Sequence, residues 1–172
     1  MGAVDDGTSA ASRPVLLRAI SDDNRVSVQD LRVADEQKGF VDGVVESLVE
    51  AAATPEANPW YRAVYAGDTP VGFVMLSDDA VPGDAPWPWR YYLWRMLIDA
   101  RFQGRGYGRA ALDLVVGYLT TRPGADLLVT SVVPGDGSPM GFYLRYGFRP
   151  TGEALGHEEV LQLRLADRVA TS

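Results

Sequence analysis

The sequence predicts one α/β domain, a mixed central sheet with flanking helices, and three observations carry that expectation. Strand-like and helix-like segments follow one another as a strand, two helices, an antiparallel meander, a βαβα run and a closing hairpin. Tyr91 to Ile98 is an apolar run rich in aromatic residues, as in a strand buried inside a sheet. It leads into a glycine-rich turn, Gln103-Gly104-Arg105-Gly106-Tyr107-Gly108, and then into a helical pattern with Ala111, Leu112, Val115, Val116 and Leu119 on one side.

The elements follow in order. Residues 1–13 are small and polar and read as a disordered tail, which leaves 14–168 as one domain and 169–172 as a short polar end. Pro14 to Ile20 reads as the first strand, and Ser21-Asp22-Asp23-Asn24 as a turn rich in helix-capping residues. A short helix is expected over Val26–Val33 and a longer one over Phe40–Ala53. The second has Val41, Val44, Val45, Leu48 and Val49 on one side and Asp42, Glu46 and Glu50 on the other. That acidic row reads as a solvated face, the alternative being the wall of a groove for a cation.

Trp60–Ala66, Gly67-Asp68 and Pro70–Ser77 form a strand, a turn and a returning strand. VGFVML within the last is apolar throughout, as in a strand covered on both faces. Asp78–Trp89 is a loop whose Trp87 and Trp89 either flank a pocket or pack onto the body. Beyond the central helix, Pro123-Gly124 breaks the chain and Asp126–Val133 is a buried strand. A short helix over Pro139–Tyr146 has Ser138 as cap and Pro139 at its first helical position, and Gly147 ends it. A hairpin from Arg149 to Leu165 turns around Gly156, with His157 an ordinary turn residue.

Composition excludes several functions. At 172 residues and 47% hydrophobic, the chain suffices for a core. No apolar run is long enough for a transmembrane helix, the first residues lack the pattern of a secretory signal, and Asp6 stands where a myristoylation motif needs Ser or Thr. A cytoplasmic protein without a membrane partner is expected. The absence of cysteine excludes disulfides, thiolate metal sites and a cysteine acyl-enzyme, and one histidine cannot make a histidine-rich metal centre, so no metal is expected. A net charge of −7 argues against nucleic acid and suits a cationic partner.

A strand that ends in a glycine loop at a helix N-terminus binds anions. The first helical N–H groups have no partner inside the helix, and the helix dipole favours negative charge there. Gly104, Gly106 and Gly108 remove side chains that would hold a phosphate away, and Arg101, Arg105 and Arg109 add positive charge. The spacing is neither G-x-G-x-x-G nor G-x-x-x-x-G-K-[ST], so a dinucleotide fold and a P-loop are both excluded.

Gln103-x-x-Gly106-x-Gly108 resembles the Q/R-x-x-G-x-G/A signature of the GNAT acetyltransferases, and Phe142-Tyr143-Leu144-Arg145-Tyr146-Gly147-Phe148 resembles their LYEKLGF segment. The resemblance runs from Pro14 almost to the end and implies the GNAT fold, with a splayed core strand. It implies acetyl-CoA as co-substrate, its pyrophosphate held by Gln103, Gly104, Arg105, Gly106, Tyr107, Gly108 and Arg109. It places the acetyl and pantetheine carbonyls on backbone N–H groups of Met96, Leu97 and Ile98, and makes Tyr143 the acid that protonates the departing thiolate. A tyrosine suits that role, its usual pKa of about 10 lying above the roughly 8.5 of a thiol.

Two departures from the family pattern stand out. The core strand carries Trp94 and Arg95 where relatives supply a glutamate base, leaving Glu153, Glu158, Glu159 and Asp79 as candidates. Asp136 falls in the slot of the usual asparagine. YYLWRMLIDARFQGRGYGRAAL, VPGDGSP-x-x-FY-x-x-x-GF and PTGE resemble bacterial spermine/spermidine acetyltransferases, which implies a polyamine or another small primary amine as acceptor; the likeness to the wider family implies a homodimer through the C-terminal strands. An antibiotic amine, a protein N-terminus, or a non-catalytic acyl-CoA-binding module are the alternatives.

Overall fold

The computed structural model describes residues 13–170, so the tail expected over 1–13 lies, except for Arg13, outside the described residues. The strands are β1 (Val15–Arg18), β2 (Pro59–Ala66), β3 (Thr69–Asp78), β4 (Tyr91–Ile98), β5 (Leu127–Val132), β6 (Arg149–Leu155) and β7 (Glu158–Arg164). The helices are α1 (Arg25–Gln29), α2 (Val44–Ala53), α3 (Tyr107–Leu119), α4 (Met140–Tyr146) and α5 (Leu165–Val169). The strands form one sheet in the order β1-β2-β3-β4-β5-β7-β6. Every pairing is antiparallel except β4–β5, which is parallel, its crossover being α3.

Both faces are covered, as the apolar central strands require. Val74 and Leu76 of β3 join the cluster under α3 and α4, with Leu112, Val115, Tyr143 and Phe148. Phe73 and Met75, on the opposite pleat, join the cluster under α1 and α2, with Val28, Val44 and Trp87. VGFVML is therefore apolar throughout because each of its faces has a helical layer to meet.

Several boundaries differ from expectation. Helix α1 stops at Gln29, after which the Arg32 N–H turns to the Asp99 carboxylate, 2.8 Å away. Helix α2 begins at Val44, because Gly43 is extended and serves as its cap, so Phe40 and Val41 leave the helix for the site described below. Pro139, not Ser138, is the cap of α4, while the Ser138 hydroxyl accepts the Met140 N–H at 3.3 Å. The last strand stops at Arg164, and Leu165–Val169 form a helical turn, α5, anchored by buried Leu165; of the end expected over 169–172, residues 171–172 lie outside the described residues. His157 lies in the β6–β7 turn, as read from sequence.

Gly72 keeps β3 close to β4. A methyl group there would stand 2.5 Å from the Leu97 carbonyl oxygen and 2.7 Å from Ile98 Cδ1. A backbone atom cannot swing aside, so Gly72→Ala is expected to cost about 1–3 kcal/mol of stability. A lowered urea midpoint would show this; an unchanged one would mean that the two strands can part.

Candidate active site

The site begins with a fork in the sheet. β4 and β5 are paired only at Tyr92–Val129 and Leu93–Thr130, after which the strands diverge. An extra residue in β4 sits at the branch: Met75 faces Arg95 and Leu76 faces Leu93, which leaves Trp94 as a bulge. Beyond it, the Asp99 N–H bonds to the Val71 carbonyl at 2.8 Å. Antiparallel alternation then turns Leu97 toward β3 and Met96 and Ile98 toward the fork. Of the three residues expected to offer backbone donors, two therefore present theirs to the opening, and Leu97 contributes to its lining.

The fork opens into a cleft of about 660 Å³, and most of the expected residues meet there: Met96, Leu97, Ile98, Gln103, Gly104, Gly106, Tyr107, Gly108, Arg109 and Tyr143. Gly106, at φ +82°, caps α3, and no side chain caps the helix. Since the first helical bond is that of Ala110 to the Gly106 carbonyl, the N–H groups of Tyr107, Gly108 and Arg109 have no partner in the helix. A Cβ at Gly104 or Gly106 would meet nothing within 4 Å, so these glycines bare the backbone toward open space. Gly108 has another cause: a Cβ there would lie 3.3 Å from the Phe142 ring, so its lack of a side chain lets α4 approach α3.

The expected cations divide. Arg109 lines the cleft, joined by Arg145 of α4, which sequence reasoning passed over although it lies within the FYLRYGF segment. Arg101 and Arg105 are outside the lining. Arg101 pairs with buried Asp99 at 2.8 Å, and Arg105 lies over the Phe102 ring at 5.7 Å. Burial works to raise the Asp99 pKa, but hydrogen bonds from Arg101 and the Arg32 backbone outweigh it and hold the carboxyl below its usual range. Asp99 thus ties the turn that follows β4 to Arg32, in the segment after α1. Gln103 is a second fastener, its amide donating to the Ile98 carbonyl at 2.9 Å and to Gln37 Oε1 at 2.7 Å. Val33, Gln37, Phe40 and Val41 line the cleft as well, and apolarity alone gave no sign that they would.

Tyr143, on α4, is buried, lines the cleft, and its hydroxyl has no hydrogen-bond partner among the described residues. Burial, with a smaller contribution from Tyr92, pushes its pKa well up. Tyr146, one helical turn on, is buried and lines the cleft as well, but its hydroxyl is engaged, donating to Asp113 at 2.8 Å. Asp136 is exposed and outside the lining.

Across the sheet, Arg95 holds two carboxylates of the row expected to be solvated, Asp42 at 2.8 Å and Glu50 at 2.6 Å. Trp87 is buried against Tyr92 and Trp94, with ring centroids 4.6 and 4.8 Å away, so it packs onto the body. Of the candidate bases, Asp79 pairs with Arg90 at the other end of β4, Glu153 and Glu159 are exposed, and Glu158 accepts from Ser131 at 2.9 Å. Among the described residues no group of His, Cys, Asp or Glu is placed to hold a metal ion, and no helix is long and apolar enough to cross a membrane.

The buried phenols set an alkaline limit on stability. Burial pushes Tyr92 up to about 12; burial and the bond to Asp78 do the same for Tyr118. The fold favours the neutral phenol, so this stability is complete below the unfolded value of about 10 and is lost as pH climbs from there toward about 12. The urea midpoint is expected to fall across that window in wild type and to fall less in Tyr118→Phe. Equal slopes for the two proteins would contradict this.

Comparison with known proteins agrees with the geometry. The model of the acetyltransferase (GNAT) family matches residues 25–148. The chain is 28% identical over 137 residues to the spermine/spermidine N(1)-acetyltransferase of Bacillus subtilis strain 168, covering 80% of this chain and 89% of that protein. Among solved structures, an acetyltransferase from Thermus thermophilus superposes with a TM-score of 0.67 at 19% identity, over 87% of this chain and 96% of that one. The PaiA N-acetyltransferase of Thermoplasma acidophilum, crystallised with coenzyme A, gives 0.60 at 14% identity, over 88% and 99%. At these identities the structural likeness concerns the fold.

Proposed function

The chain belongs to the acetyltransferase (GNAT) family, and on that premise we propose that it acetylates a primary amine of a small polycation, a polyamine such as spermidine or spermine. It is an N-acetyltransferase, with acetyl-CoA as donor. The observation that carries the acceptor reading is electrostatic. Asp42 and Glu50 together outweigh Arg95 by one negative charge, and Glu158 lies on the same side of the sheet. The likeness to a spermine/spermidine enzyme supports the same reading.

The coenzyme's pyrophosphate lies on the N–H groups of Tyr107, Gly108 and Arg109, between the Arg109 and Arg145 guanidinium groups. The thioester enters the fork, where the Met96 and Ile98 N–H groups polarise its carbonyls. A neutral amine attacks the acetyl carbon; the C–N bond forms, the C–S bond breaks, and the thiolate takes the Tyr143 proton. Burial raises Tyr143 and so favours the protonated phenol from which it donates. A homodimer and a cytoplasmic location belong to the same reading, and β6, at the margin of the sheet, offers an edge for a second copy.

Thiol release from acetyl-CoA with spermidine, spermine and a panel of unrelated amines tests this. A kcat/KM for the polyamines at least tenfold above the other amines is expected. A preference for an uncharged or anionic acceptor would refute the acceptor reading.

A further inference from the structure

Three side chains on the acceptor side of the sheet form a directed hydrogen-bond chain. Ser131 is the first residue of β5 beyond its last paired step with β4, and so stands inside the fork. Its hydroxyl donates to Glu158 Oε2 at 2.9 Å. The Tyr92 hydroxyl lies 2.6 Å from the same Ser131 oxygen. A serine hydroxyl has one hydrogen, and here the carboxylate takes it. Tyr92 must therefore donate to Ser131, and its own oxygen is left with lone pairs that no other described residue uses.

The chain ends at the fork. Ser131 stands just beyond the last β4–β5 pairing and the Tyr92 hydroxyl lies 2.6 Å from it, on the face of the sheet that carries Trp87 and Trp94, while Tyr143 packs on the opposite face. Tyr92 is almost wholly buried and wedged between Trp87 and Trp89, whereas Glu158 is only partly buried and can exchange protons with solvent. The other charged groups facing Tyr92 are Arg95 on its own strand and Glu50 of α2, and these are already paired with each other.

We propose that Tyr92, Ser131 and Glu158 form the relay that removes the proton from the acceptor amine, which the core strand, lacking a glutamate, does not do directly. The inference rests on the acetyl-transfer reading above. The substrate ammonium gives a proton to the Tyr92 oxygen, the Tyr92 proton moves to Ser131, and the Ser131 proton moves to Glu158. The amine is left neutral to attack, the two hydroxyls are restored, and Glu158 carries the proton to water. Tyr92 is the catalytic residue, in contact with the amine; Ser131 and Glu158 act through it.

The test compares Tyr92→Phe, Ser131→Ala and Glu158→Gln with wild type on two acceptors. One is spermidine, protonated at neutral pH; the other is an arylhydrazine, already neutral there and needing no base. With spermidine, kcat at neutral pH is expected to fall at least tenfold in each variant and to recover as pH rises toward the pKa of the amine. With the arylhydrazine, kcat is expected to change less than threefold. Calorimetric acetyl-CoA affinity should match wild type throughout, which guards against misfolding, and His157→Gln, in the adjoining turn, should leave both activities unchanged. Equal losses on both acceptors, or losses that do not vary with pH, would overturn the relay alone. A wild-type protein that acetylates another amine but not spermidine would overturn the acceptor reading, and the same pH comparison on that amine would then decide the relay. A wild type inert toward every amine would overturn both.

Discussion

Tyr143→Phe is expected to lower kcat roughly 10²–10⁴-fold, the usual worth of a positioned acid. The change removes one oxygen that has no hydrogen-bond partner among the described residues, and the ring keeps its edge contacts with Phe142 and Phe148. Stability should therefore hold, and acetyl-CoA affinity should stay within about threefold of wild type. Both follow from a hydroxyl that acts only when the thiolate departs. Steady-state kinetics beside calorimetry checks this; a fall in affinity matching the fall in kcat would make Tyr143 a binding residue instead.

Gly106→Val should act on the other half of the reaction. The position requires φ +82°, which a β-branched residue adopts only under strain of about 1–3 kcal/mol. Its side chain would also project toward the open space beside the α3 N-terminus. Acetyl-CoA affinity is expected to fall at least tenfold, a change that about 1.4 kcal/mol already produces. At saturating acetyl-CoA, turnover should recover most of its wild-type value. Gly108→Ala should be milder, since it demands only that the Phe142 ring shift slightly. Unchanged affinity in Gly106→Val would remove the glycine loop from the binding site.

Local chemistry made much of this legible in the sequence. The β4 boundaries, the glycine loop, and the α3 face with Leu112 and Val115 are written in short-range pattern, and the structure reproduces them. The residues that reach the cleft from elsewhere are not. Phe40 and Val41 fit a helical stripe as read along the chain, and only the extended Gly43 and the hold of Arg95 on Asp42 set them over the fork. Arg101 and Arg105 show the converse. Both sit where an anion loop wants cations, yet Asp99 claims the first and the Phe102 ring lies beneath the second. The acidic row at 42, 46 and 50 reads as solvated because its partner, Arg95, lies 45 residues beyond Glu50. The chain Tyr92–Ser131–Glu158 joins three strands, and no spacing along the sequence announces it.

The central claim is that residues 103–109 and the forked strands hold a coenzyme A thioester. Isothermal calorimetry of the intact protein with acetyl-CoA, and separately with coenzyme A, tests it most directly. The account predicts saturable one-to-one binding of both, lost or sharply weakened in Gly106→Val and retained in Tyr143→Phe. No heat with either ligand, from protein shown to be folded, would contradict it.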